Sequence, residues 1–485
     1  MKTLHAIATI LTVVLLGCTS DFDVTNTNPN APTAVTPGLL LTNIIRTPVN
    51  SMMDHAWSYG NIVIQHNAKR QFVNEDRYLW GDVSGPWDAC YSTLRDVNNM
   101  MDAAEKLGQS NYVGIGLVMR SWIMLQLTDL YGDVPFTQAT KAADGVVLPS
   151  YDRQEAIYTQ LLEDLKSANT KIGSSTEAVE GDILFAGNIS KWKKFANSLR
   201  VRMLLRISGK KNVTADLNAI ISDQAANPLF ASNADNASLT YLSAFPNQFP
   251  LAIARVGSFR EFTLSKTLAD TLLNLKDPRI QVYGRPTEES ASTTTPAYAG
   301  LPNGLSDVDA LNYGNNGRGI SYVGTLWFED ASTPRGIKVA KGVLMTYAEL
   351  QFNLAEAAER GLVAGSAKDY YEAGVKAAFD HVDTKMPDDY LTQPSVDLGV
   401  SNRLEKIATQ KWISLYFHGM EAWADWRRSG LPVLQPGASN LNGNRIPSRF
   451  AYPLSEQALN SANRADAVSK QGADDINTKL WWDAQ

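Results

Sequence analysis

Apolar residues recur at three- and four-residue steps through several long windows, the spacing that lines side chains along one face of an α-helix. Trp87, Tyr91, Leu94, Met101 and Ala104 form one such stripe and predict a helix over 86–107. Val118, Trp122 and Leu125 predict a second, from about Asn111 to Tyr131, where Gly132 and Pro135 stop it. The two read as an antiparallel pair. Asp152 followed by Glu155 resembles a capping box, and Ile157, Leu161, Leu162 and Leu165 carry a stripe to about residue 172. Its partner runs from Ser190 to Ile207, with Trp192, Phe195, Leu199 and Met203 on one side. A third pair, Leu344–Arg360 and Ala367–Val382, comes much later. One last long helix begins near Ser401 and ends at Arg427 and Arg428, cations in the final turn before Gly430 and Pro432.

The pattern predicts a mostly α fold, in which helix pairs over about 86–208 and 343–428 stack into a tetratricopeptide-like superhelix, although no regular repeat of about 34 residues runs through it. Between the pairs, residues 224–342 are rich in Asn, Ser, Thr, Gly and Pro, with a helix near Glu261–Leu275. A stretch that long without regular elements is uncommon in a compact domain unless it carries function, so it reads as a loop-rich ligand-binding part. Residues 431–485 read as irregular.

The composition fits such a body. Of 485 residues, 44% are hydrophobic and 19% charged, enough apolar surface for a sizeable core and too little charge for a disordered chain. The net charge of −6 leaves no basic surplus to displace counterions from a phosphate backbone, so nucleic acid is not an expected partner. The chain opens with Lys2 and an apolar run, Ala6–Leu16, too short to span about 30 Å of hydrocarbon. That run ends in Leu15-Leu16-Gly17-Cys18, which resembles a bacterial lipobox. Residues 1–17 are therefore expected to be a lipoprotein signal peptide, Cys18 the acylated residue, 18–37 a polar tether and 38–485 one domain. No later run has 18 consecutive apolar residues, so the lipid is the expected membrane attachment.

The usual catalytic signatures are missing: no His-Glu-x-x-His, no paired Cys-x-x-Cys, no Gly-x-x-x-x-Gly-Lys and no Gly-x-Ser-x-Gly. Asp307 and Asp309 lack the glycine turn and closing Glu of a calcium loop, and His55, His66, His381 and His418 are scattered. Loop rings without a catalytic motif favour a binding protein over an enzyme, with no cofactor and no metal expected, while a glycosidase, whose carboxylate pair no motif marks, stays open. Among the 11 Trp, Trp87, Trp122, Trp192, Trp412 and Trp423 fall in helical stripes and read as core, while Trp481 and Trp482 read as pins for the tail. Two loop groups remain. Asn74, Tyr78 and Trp80 lie in a polar loop before the 86–107 helix; Tyr298, Tyr313, Arg318, Tyr322 and Trp327 lie in the irregular segment. Flat rings flanked by amide, carboxylate and guanidinium groups suit a sugar, whose C–H face stacks while its hydroxyls bond to the polar rim.

Several of these segments together resemble the SusD/RagB-like nutrient-binding outer-membrane lipoproteins of Bacteroidetes. They are the lipobox at Cys18, Trp87-x-x-x-Tyr91 continuing to Asn98, Tyr131–Phe136, and Met345-Thr-Tyr-Ala-Glu-Leu leading to Ala355-Glu356-Ala357. Gln410-Lys411-Trp412, Glu421-Ala-Trp-Ala-Asp-Trp-Arg427-Arg428, Arg449-Phe-Ala-Tyr-Pro453 and Leu480-Trp-Trp-Asp483 complete the set. Asp21 and Asp23, close behind Cys18, resemble the surface-export signal of such lipoproteins. The resemblance implies a SusD-like α/α fold with four tetratricopeptide-like units packed against an irregular ligand-binding half. It also implies a lid on a SusC-like TonB-dependent transporter, outside the outer membrane, passing on captured oligosaccharide or, in the RagB branch, peptide. By loop position it favours Tyr78 and Trp80 as ligand residues. A surface glycosidase is the remaining alternative, since 50 carboxylates could supply a catalytic pair that no motif marks.

Overall fold

The computed structural model describes residues 36–242, 247–253, 258–327 and 340–483. The expected signal peptide, Cys18 and nearly all of the expected tether lie outside them. The chain divides into Met1–Thr36 and Pro37–Gln485, and the second holds every described element.

The fold is mostly α. Helix α1, Pro37–His55, runs on through a π-helical turn, Ala56–Gly60, and a single turn, Asn61–Val63. It buries Leu41, Ile44, Ile45, Val49 and Met52 at helical spacing against α2, Gly85–Lys106. The predicted helices begin at residue 86, so α1, which contains Pro48, lies outside them. Next, α2 packs on α3, Ser110–Tyr131; α3 on α4, Gln154–Lys171; and α4 on α5, Ile189–Ile207. These bounds lie within two residues of the predicted ones. Helix α3 is long and apolar enough to cross a membrane, but 94% of its apolar window is buried within the body, as befits a central core helix. The expected capping box at Asp152 does not form. Its carboxylate instead accepts the Phe136 and Thr137 amides, and Arg153 occupies the N-cap of α4.

After α6, Thr214–Ser222, the chain enters the irregular half. It holds two short antiparallel ladders: β1, Asn67–Lys69, pairs with β3, Phe262–Leu264, and β2, Ala237–Leu239, pairs with β4, Gly342–Met345. Helices α7, Lys266–Asn274, α8, Ile280–Tyr283, and α9, Asp307–Asn316, lie between. The predicted helix near Glu261–Leu275 is thus β3 followed by α7, and the first residues of the predicted 344–360 helix are β4. Helix α10, Tyr347–Glu359, capped by Thr346 Oγ1, packs on α5, on α11, Ala367–His381, and on α12, Arg403–Ser414.

The long helix predicted from Ser401 is broken in two. After α12 the chain turns at Phe417, in the left-handed region at φ +62°, and restarts as α13, Gly419–Ser429. The break lets Gly419 meet the π turn backbone to backbone: a Cβ on Gly419 would lie 2.5 Å from the Gly60 carbonyl carbon. The C-terminal part contains two further helices, α14, Leu454–Leu459, and α15, Ser461–Gln471.

Buried ion pairs tie these layers together and account for the motif residues near the C-terminus. Arg202 on α5 grips Glu349 with two bonds of 2.6 and 2.7 Å, and Arg206 bridges Asp129 and Glu421. Asp425 pairs with Lys411 at 2.6 Å and with Arg428, which also holds Glu356. Trp482 is fully buried, donates to Asp129 at 2.9 Å and lies beneath the guanidinium groups of Arg206 and Arg427. Trp87, Trp122, Trp192, Trp412 and Trp423 are all core residues.

Candidate ligand-binding face

The β1–β3 ladder is the platform from which the polar loop 70–84 departs. Beyond β3, Thr263 bridges Tyr322, and Ser265 bridges Leu301, so the 298–323 segment forms the far edge of the same small sheet. Arg70 binds the loop down by donating to the Leu311 and Asn316 carbonyls at 2.9 and 2.7 Å. This brings Asn74, Tyr298, Tyr313, Arg318 and Tyr322, distant in sequence, onto one sheet and its flanking loops.

A buried polar clasp holds that arrangement. Asn303 donates to the Asn67 carbonyl at 2.8 Å and to Asp76 Oδ1 at 2.7 Å, and accepts from Ser265 Oγ at 2.6 Å. Asp76 Oδ2 accepts the Lys69 amide at 3.0 Å. Both residues are buried, and burial pushes the Asp76 carboxyl up to about 7, against the pull of hydrogen bonds from Lys69, Asn303 and Gly304 and of the Lys69 ammonium. Arg77 extends the clasp to the C-terminal part through Ser439 and Leu441. Gly304 sits there at φ +65°, and a Cβ on it would lie 2.8 Å from the Gly437 Cα, so only glycine permits this approach.

The individual rings do not all behave as expected. Tyr78 is 2% exposed, at φ +62°, so its ring presents no face to a ligand. Trp80 is half-buried: its indole N–H donates to the Glu75 carbonyl at 2.9 Å and its ring meets Tyr59, Trp423 and Phe450. Tyr322 is buried beneath Arg260, and Tyr298 is half-buried. Asn74 and Arg318 are exposed, and Tyr313 is exposed because α9 loses helical geometry at Tyr313–Asn315. Sequence reasoning missed Phe72, which is 69% exposed at φ +51°. In Arg70-Gln71-Phe72-Val73 it looks like an ordinary core position, and only the left-handed turn swings it outward.

Trp327 parts from this group. It is 5% exposed and stacks on Phe417 at 5.0 Å, the end of a column that runs through Trp57 to Phe262. Its edge lines a cavity of about 770 Å³ walled by Tyr241, Tyr283, Tyr416 and Phe417, with Lys341 and His381 among its polar groups. The column therefore stands between that cavity and β3. Among the described residues no group of three or more His, Cys, Asp or Glu is placed to hold a metal ion.

The family whose members are described as starch-binding and associating with the outer membrane, SusD-like, matches residues 29–453. The chain belongs to this SusD-like family. Its fold is similar to a SusD homologue from Bacteroides fragilis, at a TM-score of 0.79 and 26% identity, covering 93% of this chain and 100% of that one. A chitin-binding protein aligns at a TM-score of 0.79 and 28% identity, with the same coverage. A chitin-binding SusD homologue from Flavobacterium johnsoniae aligns at 0.75 and 25%, covering 92% and 98%. No curated protein matches the chain.

Proposed function

We propose that this protein captures oligosaccharides at the β1–β3 face and delivers them, without cleaving them, to a SusC-like TonB-dependent transporter. Phe72 and Tyr313 supply rings for the apolar sugar face, while Asn74 and Arg318 supply hydrogen bonds at the rim. The observation that carries the reading is the exposure of these four side chains on the 70–84 loop, α9 and the turn after it, which Arg70 and the Asp76–Asn303 clasp tie to the β1–β3 ladder. Preorganised rings bind without first ordering a loop, which favours affinity. Trp80 contributes only the part of its ring left open by Tyr59 and Trp423. The starch-binding description of the family and the chitin-binding relatives support a glycan ligand.

The test is calorimetric titration of soluble protein, starting after Cys18, with starch-derived and chitin-derived oligosaccharides. Two stacked rings at about 1 kcal/mol each, beyond area burial, predict that Phe72→Ala and Tyr313→Ala each weaken binding by about fivefold without moving the melting temperature. Unchanged affinity in both variants would place the site elsewhere, and glycan turnover by the wild type would show an enzyme. Lipid anchoring on the cell exterior is part of the same reading. It predicts that Cys18→Ala abolishes labelling by radioactive palmitate and removes the protein from the reach of protease added to intact cells.

A further inference from the structure

A second pocket, of about 170 Å³, lies between α4, α5, the 211–216 segment and the C-terminal Trp481, none of which belongs to the β1–β3 face. One part of its wall is apolar, formed by Leu162, Leu204, Ile207 and Val213, and much of the rest is polar or charged, with Arg200 part of the lining. Arg200 is only 6% exposed. Its Nη1 donates to the side-chain oxygens of Asn197 and Asn227 at 2.9 and 3.0 Å, and its Nε has no partner among the described residues.

This arginine lacks a counter-ion. Arg202, Arg206, Arg279 and Arg449, all more deeply buried, each hold a carboxylate within ion-pair distance. Arg200 holds none among the described residues. Of the carboxylates lining the pocket, Glu163 is taken by Lys166 at 2.6 Å, and neither it nor the exposed Asp216 comes within 4.0 Å of Arg200. Lys211 is paired with Glu155 and sits over the Trp481 ring. Burial draws the guanidinium pKa down, and the distant Asp216 and Glu163 charges do not reverse it. A buried cation without a partner is costly, and proteins ordinarily pair it.

We propose that this pocket binds a small monocarboxylate with an apolar, ring-sized body, its carboxylate on Arg200 and its body against the leucines and Ile207. Nε is sealed within the body, so the carboxylate meets Nη2, the guanidinium nitrogen that makes no hydrogen bond to a described residue and is not sealed. The volume suits one ring, since a cavity of about 150 Å³ accepts benzene.

The experiment is ligand-observed NMR and calorimetry on the soluble protein with benzoate, its neutral isostere benzamide, and glucuronate. Benzoate is expected to bind saturably, and benzamide at least about tenfold more weakly, the loss of one hydrogen-bonded charge contact. Arg200→Gln should remove the preference for benzoate, and Leu162→Trp, at a partly open position, should block entry while leaving Arg200 intact. Oligosaccharide titration of both variants should be unchanged, which separates this pocket from the face proposed above. Equal binding of benzoate and benzamide, no saturable benzoate binding up to about 20 mM, or benzoate binding retained in both variants would each overturn the proposal. Preference for glucuronate would overturn the apolar-body assignment in favour of a sugar acid.

Discussion

Replacing Asn303 by Ala tests whether the proposed ligand face is held by the clasp. The substitution removes three buried hydrogen bonds: one to the Asp76 carboxylate and two to neutral partners, the Asn67 carbonyl and the Ser265 hydroxyl. The charged contact is worth about 1.5–3 kcal/mol and each neutral one about 0.5–1.5 kcal/mol. Because the three share one side chain and couple, the expected loss is about 3–4 kcal/mol rather than the full sum. Asp76 adds a pH signature. Its carboxyl titrates at about 7 in the folded protein against 3.8 unfolded, so the folded state holds the extra proton between those values. Stability from this group is greatest below about pH 4, falls as pH rises through 7, and is level above. Asn303→Ala should therefore cost more at pH 8, where Asp76 is charged, than at pH 6. Urea denaturation followed by tryptophan fluorescence at both pH values measures the cost, and hydrogen exchange at the Lys69 amide reports local opening. A variant within about 0.5 kcal/mol of wild type, with unchanged exchange at Lys69, would refute the reasoning.

Other buried groups respond in the opposite direction to acid. Burial draws His66 to about 3, and partial burial with the Lys341 charge draws the half-buried His381 to about 4, against 6.5 unfolded, so the unfolded state binds more protons between those values. Each contributes up to about 1.4 kcal/mol of destabilisation per pH unit below about 6.5. Two such residues outweigh Asp76, and the urea midpoint should fall from pH 7 to pH 5. Trp482→Ala removes a fully buried ring that donates to Asp129 and should cost about 3–5 kcal/mol, read as a lower melting temperature. Gly419→Ala forces a Cβ to within 2.5 Å of the Gly60 backbone and should cost about 1–3 kcal/mol or more, with circular dichroism reporting the loss on urea titration.

The helical layers were legible because each long helix buries one face. The stripes through Trp87, Trp122 and Trp192 give bounds close to those observed, and all three rings are core. Errors came where a tertiary contact outweighed local pattern. No predicted helix covers α1, whose buried face continues through Pro48, and the stripe through Trp412 and Trp423 concealed the break at Phe417 that the Gly60–Gly419 contact requires. The proposed ligand face was legible only as a set of loop positions. Asn74, Tyr313 and Arg318 are exposed, while Tyr78, Tyr322 and Trp327 are packed inward, a distinction that aromatic content alone does not carry.

Sequence by itself determined the mostly α architecture and the family, since periodicity and ordered motifs are written into neighbouring residues. Which rings face solvent was decided only by the tertiary structure. A side chain's exposure depends on partners far away in sequence, as when Asn303 pins Asp76 or Trp327 stacks on Phe417, and on single backbone reversals such as Phe72, whose positive φ leaves no trace in composition.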